Sequence, residues 1–137
     1  MTILLDCDVL IDVAANRAPH ARNSHAVLEW VERHPGSGFV AEHTIANLYY
    51  VLRKHPGDAL TREFIEELLD FVEVVAAGTP EVKHALALPM TDLEDALQSA
   101  AAVHAGVDFI VTRNIGDYKN SPIQALLPAD FLAQAPA

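Results

Sequence analysis

The stretch ILLDCD at residues 3–8 decides how the rest of the chain is interpreted. An apolar run that ends abruptly at an acid is typical of a strand buried in a parallel sheet. A second stretch of the same character, DFIVT at residues 108–112, is the clearest strand of the sequence. Shorter apolar and β-branched runs at residues 38–41 and 72–75 predict two further strands.

Segments with helical periodicity separate these strands. The predicted helices cover residues 9–15, 19–34, 44–54, from about 58 or 61 to 71, 80–88 and 92–104, with a short last helix from residue 128. Strands that alternate with helices predict a mostly parallel sheet with helices on both faces. We therefore expect an α/β fold, a three-layer α/β/α arrangement around a short central sheet, with residues 1–137 as a single domain.

Composition excludes several classes of protein. The chain has 137 residues, of which 51% are hydrophobic, so folding can bury roughly 70% of its surface and intrinsic disorder is excluded. A net charge of −10 excludes a basic protein that coats nucleic acid, but not an enzyme whose bound cation reverses the local charge. One cysteine excludes a disulfide framework. Because no secretory leader or membrane span is visible, we expect a soluble cytoplasmic protein.

Polar oxygen-bearing side chains follow the predicted strands or start a predicted helix near them. Carboxyl ends of parallel strands share one edge of the sheet, where ligands bind in such folds. If these side chains meet, they form hard oxygen ligands that suit Mg²⁺ or Mn²⁺ better than Zn²⁺. Such a site serves phosphoryl transfer or phosphodiester hydrolysis. The side chains are Asp6, Asp8, Asp92, Asp95, Asn114 and Asp117.

Each acid taken alone also has a structural interpretation. Asp8 is a suitable N-cap for the helix after the first strand. Asp92 can complement a helix dipole, and Asp117 can be an ordinary turn residue. If the chain stays extended at the first strand's end, Asp6 and Asp8 point the same way. Their shared position, rather than any single acid, therefore predicts a site.

Other chemically active side chains give weaker signals. The seven histidines show no close metal-ligand spacing. Cys7 lies between two acids that raise the pKa of a thiol, which disfavours a nucleophilic role. Few cations are available to meet a phosphate backbone; they are Arg53, Lys54, Arg113 and Lys119.

Three motifs occur in order: LLDCDVLID at residues 4–12, DLEDA at 92–96 and IVTRNIGDY at 110–118. Together with the closing segment at 121–132, this set resembles the PIN-domain family of metal-dependent ribonucleases, in particular the VapC-like toxins of toxin–antitoxin pairs. The resemblance covers nearly the whole chain. Asp6 matches the first carboxylate of the family and Asp95 the third.

The chain departs from the family pattern at two positions. Asn47 stands where the family commonly has Glu, and Asn114 stands where it often has Asp, with Asp117 following in the same turn. An amide oxygen still ligates a cation but carries no charge. The resemblance thus predicts the fold more strongly than it predicts activity.

The resemblance implies a metal-dependent endoribonuclease that hydrolyses RNA phosphodiesters. Asp6, Asp95 and Asp117 would bind Mg²⁺ or Mn²⁺, with Asn114 completing the catalytic set. Four neighbours would orient ligands or position the substrate: Asp8, Asn47, Asp92 and Thr112. The resemblance also implies a small antitoxin partner and a homodimer.

Two alternatives belong to other functional classes. With Asn47 and Asn114 in the site, the domain can instead be a catalytically weakened binding or regulatory module. The opening motif also looks like that of haloacid dehalogenase-like phosphohydrolases, with Asp6 as the nucleophile and Asp8 as the acid/base. The chain is short for that fold, and no Lys stands between Thr112 and a later acid pair.

Overall fold

The computed structural model describes all 137 residues, and a five-stranded sheet lies at its centre. Every neighbouring pair of strands is parallel, and the strand order is β3-β2-β1-β4-β5. The strands are β1 (Ile3–Leu5), β2 (Gly38–Val40), β3 (Val72–Val74), β4 (Phe109–Val111) and β5 (Ala125–Leu126).

Helices connect the strands and cover both faces of the sheet. They are α1 (Cys7–Ala14), α2 (Ala21–Arg33), α3 (Glu42–Leu52), α4 (Asp58–Leu68), α5 (Thr79–Ala87), α6 (Leu93–Ala105) and α7 (Pro128–Gln134). A kinked turn at Arg53–Gly57 joins α3 to α4, and a short 3₁₀ helix at Ile115–Tyr118 follows β4. No helix combines the length and apolar character that crossing a membrane requires.

Alternation along β1 divides the core in two. Ile3 and Leu5 face a larger apolar cluster that includes buried residues of α1, α2, α3 and α7. Leu4 faces the opposite side, where it packs in a cluster with Ala101 and Ala102 of α6. Residues that alternate along a strand point to opposite faces, so both faces of β1 are buried. This explains the continuous apolar run of the opening motif.

The predicted α/β/α fold is confirmed, with differences at the element boundaries. The first helix begins at Cys7, so Asp6 and Asp8 are not two residues of an extended chain, and that prediction is wrong. Asp6, rather than Asp8, is the N-cap, and its carboxylate accepts a hydrogen bond from the Cys7 amide. Asp92 is the N-cap of α6, and its carboxylate accepts a hydrogen bond from the amide of Asp95.

The order of the strands places a ligand site beside β1. The chain builds outward from β1 to β3 and then returns to the other side of β1 with β4. Such a reversal leaves a crevice at the carboxyl ends of the two central strands. Asp6 follows β1 and Thr112 follows β4, so both lie at this crevice.

Candidate acidic active site

Asp6 is the centre of a buried hydrogen-bond network. Its Oδ1 accepts from the Cys7 amide at 2.7 Å and from Gln98 Nε2 at 3.1 Å. Its Oδ2 accepts from the Thr112 hydroxyl at 2.8 Å and from the Tyr118 hydroxyl at 3.0 Å. Two carboxylate oxygens offer about four acceptor positions. The protein's own donors therefore fill the acceptor capacity of Asp6.

Asp8 lies two residues further along the chain, and only one of its two carboxylate oxygens accepts hydrogen bonds. Its Oδ2 accepts from the Arg113 amide at 3.0 Å and from Asn114 Nδ2 at 3.1 Å. Its Oδ1 is buried and has no hydrogen-bond partner. Burial, followed by the charge of Asp6, raises the pKa of Asp8 to about 6. An unpaired buried acceptor beside another carboxylate is a position where a proton or a cation is stabilising.

Asp95 approaches the same crevice from the first turn of α6. Burial, followed by the charges of Asp92 and Asp6, raises its pKa to about 6. The buried Tyr118 hydroxyl, which donates to Asp6, also interacts with the Asp95 carboxylate and opposes this rise. Asp117 is exposed and contributes a smaller repulsion. Asp6 and Asp95 thus repel each other, and the Tyr118 hydroxyl, which donates to Asp6, interacts with both carboxylates.

A buried ion pair anchors the loop after β4. Asp12 is fully buried on α1 and accepts from Arg113 Nε at 2.6 Å and Nη2 at 3.2 Å. The Ser24 hydroxyl donates to the same carboxylate at 3.2 Å. Arg113 is therefore committed to Asp12, which corrects the expectation that it is available to meet a phosphate backbone.

The donor types fit Mg²⁺ or Mn²⁺, although the folded side chains do not form a complete cage. No group of three or more His, Cys, Asp or Glu side chains lies within a geometry that holds a metal ion. Mg²⁺ is usually bound by one or two carboxylates, with water and substrate phosphates supplying the other ligands. Asp6 and Asp95, whose charges act on each other, are the two carboxylates that would hold such a cation, and the charge of Asp6 also acts on Asp8, whose Oδ1 has no partner.

Comparison with known proteins assigns a family to this fold and site. The family profile described as a PIN domain matches residues 2–116. The chain belongs to the PIN-domain family. This confirms the resemblance drawn from the motifs and favours a nuclease over the phosphohydrolase alternative. No curated protein matches the sequence.

Solved structures share the fold of this PIN domain at low sequence identity. VapBC2 from Rickettsia felis, bound to a promoter DNA fragment, matches with a TM-score of 0.72 and 15% identity over 93% of this chain and 98% of that one. A toxin–antitoxin complex from Klebsiella pneumoniae matches with a TM-score of 0.71 and 21% sequence identity, over 93% of this chain and 98% of that one. VapC20 of Mycobacterium tuberculosis, a sarcin-ricin loop cleaving toxin, matches with a TM-score of 0.64 and 13% sequence identity, over 80% of this chain and 87% of that one.

The PIN domain brings most of the predicted polar residues to one crevice, but to different depths. Thr112 is fully buried and donates to Asp6, whereas Asn114 is exposed and donates to Asp8. Asp92 is an exposed helix cap. Asn47 is partly exposed on α3 and makes no side-chain hydrogen bond.

Three buried polar residues of the site were not predicted from the sequence. Gln98 donates to Asp6 and to the Thr44 hydroxyl of α3, the latter at 2.9 Å, Tyr118 donates to Asp6, and Asp12 accepts from Arg113. Gln98 lies three residues after Asp95 in an alanine-rich helix. Side chains at that spacing share a helix face, which was the available signal.

Cys7 is unsuited to nucleophilic chemistry, as the sequence suggested. Burial raises the pKa of its thiol to about 12, and the charges of Asp6, Glu94 and Asp8 add to this effect. A thiol with so high a pKa is protonated at neutral pH. Its backbone amide, which donates to Asp6, is the part of Cys7 that belongs to the site.

Proposed function

We propose that this PIN domain is a metal-dependent endoribonuclease that hydrolyses RNA phosphodiesters, and that it is the toxin of a toxin–antitoxin pair. The observation that carries this proposal is the repulsion that Asp6 exerts on both Asp8 and Asp95 at the crevice beside β1 and β4. Carboxylates with raised pKa values at a ligand crevice favour a role in binding a cation and in proton transfer.

Asp6 and Asp95 are the proposed ligands of one Mg²⁺ or Mn²⁺, with Asp117 and the amide oxygen of Asn114 at the rim. When bound, the cation would neutralise charge on the phosphodiester and support attack by water. The chain itself supplies orientation, because four donors fix the Asp6 carboxylate in place. A buried carboxylate whose oxygens each accept two hydrogen bonds loses little conformational freedom when it binds a cation.

The loop after β4 has a positioning role in this proposal. Asp8 accepts from the backbone amide of Arg113 and from the side-chain NH2 of Asn114, and the side-chain oxygen of Asn114 would be available to a cation. Thr112 ties the same loop to Asp6. Asp92 adds negative charge near Asp95. Asn47, on the partly exposed side of α3, would contact the substrate through its amide.

Two observations support the choice of RNA and of an antitoxin partner. VapC20, which shares the fold, cleaves the sarcin-ricin loop, and two other similar structures are toxin–antitoxin assemblies. Large apolar side chains are also exposed on α3 and α4, where Tyr50 is 68% and Leu60 is 56% exposed. Exposed apolar surface of this kind is typical of a protein interface. We propose that the antitoxin covers this surface. Homodimer formation stays a prediction.

A nuclease assay tests the proposal directly. We expect RNA cleavage in Mg²⁺ or Mn²⁺, no cleavage in excess chelator, and at least a 100-fold lower rate for Asp6→Asn. Asp70→Asn, which removes one exposed acid outside the site, is the charge-matched control and keeps the wild-type rate. Equal rates for Asp6→Asn and Asp70→Asn would refute the assignment of the site.

One observation favours the binding-module alternative. The protein's own donors fill the acceptor positions of Asp6, and no three acidic groups reach metal-binding geometry. Calorimetry with Mn²⁺ separates the two functions. A nuclease binds the ion at the site that Asp6→Asn destroys, whereas a module without catalytic function shows no heat that depends on Asp6.

A further inference from the structure

Glu94 is an exposed acid in the first turn of α6, and no hydrogen bond or ion pair within the protein involves its side chain. An acid in the first turn of a helix complements the helix dipole, which is a sufficient structural reason for its presence. Its position relative to Asp6 and to α3 indicates a second role.

Gln98 shows which way this face of α6 is turned. Side chains four residues apart lie on one face of a helix, and each leans toward the start of the helix. Gln98 donates from Nε2 to Asp6 at 3.1 Å and to the Thr44 hydroxyl at 2.9 Å. Glu94 lies one turn before Gln98 on the same face. It is therefore at the mouth of the gap between Asp6 and the first turn of α3.

The charge of Glu94 acts on both sides of this gap. Burial raises the pKa of Cys7 to about 12, and the charges of Asp6, Glu94 and Asp8 add to this effect, in that order of size. Across the gap, burial lowers the pKa of His43, and the charge of Glu94 opposes this more strongly than that of Asp6 does. Interactions between charges weaken with distance, so Glu94 is close to both the start of α1 and the start of α3.

Asp95 approaches Asp6 from a different side. The Asp95 carboxylate interacts with the hydroxyl of Tyr118, in the turn after β4, whereas the charge of Glu94 acts toward α3. Asp6 accepts from Tyr118 through Oδ2 and from Gln98 through Oδ1. Asp6 therefore lies between the two neighbouring acids of α6.

We propose that Glu94 is a further ligand of the cation that Asp6 and Asp95 hold, an inference that rests on the proposed function. Protein donors fill the acceptor positions of Asp6, so Asp6 must give up a hydrogen bond to bind a cation. Glu94 has no such bond to lose, and Mg²⁺ and Mn²⁺ prefer carboxylate oxygens. An exposed side chain that turns onto the cation also explains why the acids form no complete cage in the folded chain.

Two measurements with Mn²⁺ test this role without RNA. Calorimetry should show about tenfold or weaker binding by Glu94→Gln, because even groups that only orient metal ligands contribute about 10- to 100-fold to affinity. Water-proton relaxation reports how many water molecules the bound Mn²⁺ carries, and in Glu94→Gln a water should take the place of the lost carboxylate. Glu63→Gln removes the same charge from an exposed glutamate of α4 and should change neither quantity.

The outcomes separate this inference from the proposed function. Mn²⁺ affinity that Glu94→Gln leaves unchanged would overturn the role of Glu94, and RNA cleavage by that chain would still support the nuclease. Weaker binding without an added water would also overturn it, because a charge that acts at a distance displaces no water. Weaker binding with an added water, in a chain that does not cleave RNA, would support Glu94 as a ligand and refute the nuclease. Absence of any Mn²⁺ binding that depends on Asp6 would overturn both.

Discussion

Removing the Tyr118 hydroxyl tests how the acidic crevice is held together before a cation binds. That hydroxyl donates to Asp6 at 3.0 Å and interacts with Asp95, and the tyrosine is only 3% exposed. The other donors to Asp6 are less able to leave, because Thr112 and Gln98 are fully buried and the third is a backbone amide. A cation that binds Asp6 and Asp95 should therefore displace Tyr118.

The size of the effect follows from these contacts. A hydrogen bond to a charged group contributes about 1.5–3 kcal/mol. In chelator, Tyr118→Phe should lower the free energy of unfolding by about 2 kcal/mol, because Asp6 loses a donor and the two carboxylates repel each other without the phenol. Wild-type protein must break this hydrogen bond to bind metal. The variant need not, so its Mn²⁺ affinity should be about 10- to 30-fold higher.

Calorimetric titration with Mn²⁺ and urea unfolding in chelator measure the two effects. Tyr50→Phe is the matched control, because its hydroxyl makes no hydrogen bond and the side chain is 68% exposed. It should change neither quantity. Mn²⁺ affinity that is unchanged or lower in Tyr118→Phe would show that the phenol does not occupy the cation's position.

Three further changes test other parts of the structure. Asp12→Ala leaves the Arg113 guanidinium without its partner, so the free energy of unfolding should fall by about 3 kcal/mol or more in urea titrations; an unchanged midpoint would contradict this. Raised pKa values of about 6 mean that folded Asp8 and Asp95 bind more protons than the unfolded chain between pH 4 and 6. The free energy of unfolding in chelator should therefore fall as pH rises through 6, and thermal unfolding at pH 5 and 7.5 measures this fall. Asp8→Asn should make the difference in stability between the two pH values smaller; a larger difference would refute the role of the raised Asp8 pKa. A Cβ at Gly38 would overlap the side chain of Val31 in α2, so Gly38→Ala should lower the free energy of unfolding by about 1–3 kcal/mol. Gly78 has open space around it, so Gly78→Ala should leave the free energy of unfolding unchanged.

The central strands could be predicted because their signal is local. Both faces of β1 and β4 are covered, which requires uninterrupted apolar runs, and such runs are visible in the sequence. The edge strand β5 was not predicted. It has two residues, Ala125 and Leu126, and pairs only with β4, so its sequence carries no periodic pattern.

The site could be predicted in outline but not in its connections. Strand ends indicated Asp6 and Thr112, because chain topology brings them together whatever their partners are. Tyr118 donates to Asp6 across a separation of 112 positions in the sequence, and Gln98 donates to Asp6 across 92 positions. Asp12 looked like part of an apolar helix, and only the position of Arg113 in space explains its burial. Side-chain pairing at such separations has no local sequence signal.

The hydrogen bond from Tyr118 to Asp6 also governs when the crevice comes into existence during synthesis. Its donor enters the chain 112 residues after its acceptor, and β4, which supplies Thr112, is translated almost as late. A growing polypeptide therefore carries Asp6, Asp8 and Asp95 as separate, hydrated acids for most of its time on the ribosome. Whatever chemistry the crevice performs therefore begins only with the nearly finished molecule.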